Sequence, residues 1–148
     1  MSKSSIEEIL KKEGRYVSTT VGDSMEPMLY NRQNHIVIKT FEGVLNKYDI
    51  PLYKRPQTGK YVFHRIVKVD KKRKIYITVG DNRWKKEKVP FDWVLGVMEG
   101  YYIGEKYISS TDEDYLKYVK KHTRKYPFRA IKLICKGAVR KWKQRKQH

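Results

Sequence analysis

The sequence predicts a mainly β body with a short helix before it and two helices after it. Six segments between Tyr16 and Glu99 are rich in Val, Ile, Tyr and Thr and are separated by turn-forming residues, the texture of short strands. Two Ser-x-x-Glu patterns, Ser5 to Glu8 and Ser110 to Glu113, flank that region and mark helix starts. Beyond Pro127, apolar residues recur at three- and four-residue spacing among Lys and Arg, the pattern of an amphipathic helix. A chain of 148 residues, 39% hydrophobic and 13% aromatic, can bury a core and is too apolar for wholesale disorder.

The elements follow in order. Ser5 is the expected N-cap of the first helix, with Glu8 completing a capping box, and Gly14 is placed to end it. Strands are expected over Tyr16–Val21, His35–Thr40, Asp49–Lys54, Lys60–Val69, Lys74–Val79 and Trp93–Glu99, with Lys71-Lys72-Arg73 an exposed hairpin connection. Tyr101 to Ile108 reads as a hairpin whose two-residue turn begins at Gly104. The second capping box opens a helix running to about His122, and Pro127 suits the first turn of the last helix. The predicted organisation is a helical cap over residues 1–14, a β domain over 15–110 and a basic helical appendage over 111–148.

Charge separates body from tail. Of the formal net charge of +18, residues 117–148 supply +13, with 13 Lys or Arg and no acid. The tail therefore reads as an electrostatic device. Its last helix carries an apolar stripe of Phe128, Ile131, Ile134, Cys135, Ala138 and Trp142, which suits an anionic membrane surface better than nucleic acid, because apolar groups add nothing to phosphate binding. The single Cys135 excludes an internal disulfide framework and a Cys-rich zinc site, and neither metal nor cofactor is expected. No run approaches the ~20 apolar residues of a membrane span, and the first residues lack the apolar region of a secretory signal. A cytoplasmic protein is expected, with peripheral contact on the inner membrane face through residues 117–148.

Three segments carry the chemistry. Val21-Gly22-Asp23-Ser24-Met25-Glu26-Pro27 packs Gly, Ser and Pro into a tight turn after a strand. Such a turn can hold Ser24 out of the sheet beside free backbone amides, although a serine there usually serves only the turn. In Tyr61-Val62-Phe63-His64-Arg65-Ile66-Val67, strand alternation sets His64 on a face with Val62 and Ile66. An apolar face disfavours the imidazolium and keeps the ring neutral, as a general base must be, although a histidine in such a place is more often a satisfied core residue. Val79-Gly80-Asp81-Asn82 closes a strand, and by itself is an ordinary Asx-type turn.

Taken in order, Gly-x-Ser-Met-x-Pro from Gly22, then Asp49-Ile50-Pro51-Leu52-Tyr53, then His-Arg-Ile-Val from His64, then Gly80-Asp81-Asn82 resemble the type I signal peptidase and LexA-like serine peptidase superfamily. The resemblance runs from about Val17 to Met98 and implies a curled-sheet body. Bacterial signal peptidases and LexA-type repressors use a lysine base in the slot that here holds His64. Histidine there is similar to the archaeal and endoplasmic-reticulum signal peptidases, which use a Ser-His pair. The resemblance thus implies Ser24 as nucleophile and His64 as base, in a serine endopeptidase acting on an extended protein or peptide segment with small residues at the cut. A histidine near its ordinary value of ~6.5 predicts activity rising around pH 6–7, lower where apolar burial dominates. Where some relatives place a hydroxyl oxyanion donor, this chain has Gly22, so the hole is expected to use the backbone at Gly22 and Ser24. Met25 and Pro27 are the expected substrate-pocket residues. For the orienting acid, Asp81 is placed first, Glu87 second and Asp92 third. His35 is read as structural, and His122 and His148 lie in the basic appendage.

A self-cleaving repressor is disfavoured: no Ala precedes Ser24, and 23 residues leave no room for a helix-turn-helix domain. The competing reading is a non-catalytic module, peptidase-like in its body, whose basic tail binds membrane or nucleic acid.

Overall fold

The computed structural model describes residues 4–147; Met1 to Lys3 of the expected cap and His148 lie outside the described residues. Helix α1 (Ile6–Glu13) begins with both halves of its capping box: Glu8 N–H donates to Ser5 Oγ at 3.2 Å and Ser5 N–H to Glu8 Oε2 at 3.1 Å. It ends at Gly14, whose φ of 73° is the left-handed geometry that glycine adopts without a Cβ clash.

The body is two antiparallel sheets. In the larger, curled sheet β1 (Arg15–Thr19), β2 (Asn34–Lys39), β3 (Pro51–Lys54), β4 (Tyr61–Phe63) and β8 (Val94–Ile103) lie in the order β1-β2-β8-β3-β4, with β9 (Lys106–Ser109) also pairing β8. The smaller sheet is β5 (Arg65–Asp70), β6 (Ile75–Val79) and β7 (Glu87–Pro90). Long β8 pairs with β2, β3 and β9, and register shifts at Val37/Ile38 and Leu52/Tyr53 interrupt its ladders with β2 and β3; such bulges bend and twist a sheet. One core lies between the curled sheet, α1 and α2 (Glu113–Arg124) and includes Leu10, Met28, Leu29, Ile38 and Ile50. A second joins Tyr53 and Val62 to Ile66, Tyr76 and Val89 across the two sheets.

Four expectations are corrected. The strand expected over Lys60–Val69 is two strands: Val62 pairs with Tyr53 in the large sheet and Arg65 with Val79 in the small one, so the chain changes sheets at His64. The change lets Val62 and Ile66 share one apolar cluster while Arg65 reaches a buried acid. Strand β7 lies outside the six expected strands; only its Val89 is buried, and pairing with β6 supplies the rest. The N-cap position of α2 is Asp112 rather than Ser110, and its carboxylate accepts from Ser109 N–H at 2.9 Å, not from an amide of the helix. The expected boundary at residue 111 falls too early, because α2 places Tyr115 and Val119 in the main core. Of the three α-helices, only α3 (Tyr126–Lys146) has no buried residue.

Candidate active site

Ser24 lies at the start of the turn that follows β1, half-buried, above Met25, Met28 and Leu29, which anchor that turn in the core. Gly22 takes a φ of 85°, a conformation costly to a residue with a Cβ. Its N–H donates to Asn31 Oδ1 at 3.0 Å. That amide is therefore occupied, and the oxyanion role expected of Gly22 has no free donor. The Ser24 N–H donates to no acceptor among the described residues.

The Gly80–Arg83 turn is bolted to this segment. Asn82 N–H donates to the Ser24 carbonyl at 2.8 Å, Asn82 Nδ2 to the Asp23 carbonyl at 3.1 Å, and Arg83 pairs with the Asp23 carboxylate. Gly80 is the contact point. A Cβ there would meet the Ser24 carbonyl oxygen at 2.6 Å and His64 Nε2 at 3.3 Å. The Ser24 segment and the imidazole thus crowd one glycine, and no hydrogen bond joins Ser24 to His64 among the described residues.

Position 64 lies where the chain leaves one sheet for the other, not on a flat strand face. Burial pushes the His64 imidazole down to about 4; Glu87 opposes that shift, Arg55 and Arg83 add to it, and Asp81 opposes it more weakly than Glu87. The ring is consequently neutral across the physiological range.

Asp81 is not a partner of His64. Both its carboxylate oxygens accept from Arg65, at 2.9 and 2.8 Å, in an ion pair whose residues are 2% and 1% exposed. Arg65 also donates to the Tyr48 carbonyl at 3.2 Å and to the Tyr115 hydroxyl at 3.0 Å. A carboxylate held bidentately in this way is committed to its arginine, which corrects the role expected of Asp81. Glu87 makes the strongest favourable charge contribution to a protonated His64, although it is hydrogen-bonded to Arg55, at 2.8 Å, and to Tyr53. Asp92 is exposed in the 3-10 turn Phe91–Trp93.

Ser24 and His64 open onto a cleft of about 670 Å³ whose walls are the β1 side (Tyr16, Ser18, Thr19) and the β4 side (Tyr61, Val62, Phe63), over a floor that includes Leu29, Ile38 and Leu52. Met25 lines it; Pro27 is exposed and lies outside the lining. His35 is exposed, with Nδ1 3.3 Å from Thr19 Oγ1.

Several contributors escaped the sequence reading. Arg83 and Asn82 fasten the serine turn, and Arg55 faces His64 from the end of β3; an isolated Arg or Asn in a turn gives no pattern that predicts such a long-range contact. His122 also matters to the body: its Nε2 lies 3.0 Å from the Asp81 carbonyl oxygen and 3.0 Å from Arg129 Nη1, and Arg129 reaches the Arg83 carbonyl at 3.4 Å. The junction of α2 and α3 thereby rests on the loop that positions Ser24. No protein-family model matches the chain, and no curated protein matches it in sequence.

Proposed function

We propose that this protein is a signal-peptidase-like serine endopeptidase using a Ser24–His64 pair. The observation that carries the reading is the meeting of the Ser24 turn and a neutral, buried imidazole across Gly80, at the mouth of an apolar cleft. A neutral His64 can take the Ser24 Oγ proton as Oγ bonds to the peptide carbonyl carbon, then deliver it to the leaving amine as the C–N bond breaks. Water, deprotonated by the same ring, attacks the acyl-enzyme and releases Ser24. Negative charge on the carbonyl oxygen falls to the Ser24 N–H, the donor without a described acceptor. Hydrogen bonds between nucleophile and base commonly tighten only when substrate is bound.

The cleft suits an extended segment. Among the described residues β1 pairs only with β2 and β4 only with β3, so both walls of the cleft are sheet edges able to accept a strand, and apolar floor residues would receive its alternate side chains. A fluorophosphonate probe should label Ser24, with labelling abolished in Ser24→Ala and His64→Ala. An unlabelled wild-type protein, or labelling elsewhere, would leave the non-catalytic binding module as the better reading.

A further inference from the structure

Helix α3 leaves its apolar stripe uncovered. Phe128 is 76% exposed, Ile131 62% and Trp142 56%, and Cys135 and Ala138 between them are exposed as well. At about 100° per residue these five side chains fall within an arc of about 80°. The half-covered residues Ala130, Leu133 and Gly137 lie on the opposite side. Both margins of the stripe are basic: Arg129, Lys132, Lys136 and Lys143 along one, Lys141 and Arg145 along the other. The helix contains no acid. No helix among the described residues is long and apolar enough to cross a membrane.

We infer that α3 is an interfacial helix that seats the protein on an anionic lipid surface, Phe128, Ile131 and Trp142 entering the acyl boundary and the flanking bases meeting lipid phosphates. Charge complementarity selects this occupant. A second copy would bring two acid-free basic helices together, which repels. Duplex nucleic acid would engage the bases and leave the stripe in water. An enclosing protein groove would have to take in both basic margins, whereas a planar interface covers the stripe alone and lets the long Lys and Arg stems reach outward. The seat does not depend on the peptidase reading. It does bear on the same loop, since Arg129 and Tyr126 at the start of α3 contact the carbonyls of Arg83 and Trp84.

The test is co-sedimentation of the full chain with vesicles of phosphatidylcholine alone and of phosphatidylcholine mixed with phosphatidylglycerol. Binding should be stronger on the anionic vesicles by roughly tenfold or more and should weaken as salt rises. The triple variant Phe128→Ser, Ile131→Ser, Trp142→Ser should lose most of this binding with an unchanged thermal midpoint, because these three side chains stand exposed on the far side of α3 from its contacts with the body. Brominated lipid should quench an emission component present in the wild type and missing from Trp142→Phe, a readout that needs no disruptive variant. Equal partition onto neutral and anionic vesicles, full binding by the triple variant, or unquenched Trp142 would overturn the inference. So would binding to duplex DNA without vesicle binding, or a dimer in solution that the triple variant dissociates. Probe labelling of Ser24 is read without lipid, so the two proposals can fail separately.

Discussion

Acidification probes the environment of His64 directly. Burial moves its imidazole from an ordinary value of 6.5 down to about 4, so between those values the unfolded chain holds a proton that the folded chain does not. Stability therefore rises with pH through that window; the contribution is complete above the unfolded value and is lost as pH falls toward the folded one. At about 1.36 kcal/mol per unit, the window corresponds to about 3 kcal/mol, of which about 2 kcal/mol has gone by about pH 5. Carboxylates titrate in the same range, so the quantity to measure is the difference between wild type and His64→Asn in urea unfolding near neutral pH and at about pH 5. The packing lost with the ring lowers the variant by the same amount at each pH and cancels. Wild type should lose about 2 kcal/mol more than the variant over that interval. A gap constant to within about 0.5 kcal/mol would mean that the ring is solvated and that burial does not hold it neutral.

Arg65→Met strands the Asp81 carboxylate and should lower the unfolding free energy by about 3–5 kcal/mol; a loss below about 1 kcal/mol would show that the pair is effectively exposed. Gly80→Ala drives a methyl into the Ser24 carbonyl and toward His64, so probe labelling should disappear at a stability cost of about 1–3 kcal/mol, and retained labelling would separate the two groups. With a cleavable peptide, kcat/KM should be flat above about pH 6 and fall to half near the folded His64 value; a midpoint above about 6.5 would point to a different base. Ser24→Ala should abolish cleavage while the urea midpoint stays within error of wild type, and a large drop in that midpoint would make Ser24 a structural residue instead.

The sequence by itself determined whatever depends on short-range physics. The Ser5/Glu8 box and Gly14 delimit α1 because capping is a contact within one turn, and Gly104 opens the β8–β9 turn with a φ of 58° for the same reason. Alternation and β-branched residues located most strands, and the blocks around Ser24, His64 and Gly80 were legible because each is contiguous. What only the tertiary structure decided is what depends on partners far along the chain. Lys60–Val69 reads as one strand locally, yet pairing with β3 before His64 and with β6 after it divides the segment and sets His64 at the crossing. Asp81 reads as the natural partner of a nearby histidine, but Arg65, the first residue of β5, takes both of its oxygens, since a buried carboxylate is stabilised most by a bidentate guanidinium. The charge of the tail foretold a surface element, but the division within it was decided by packing: Tyr115 and Val119 find a cavity-filling place against the curled sheet, while the stripe of α3 meets no facing element and stays in solvent.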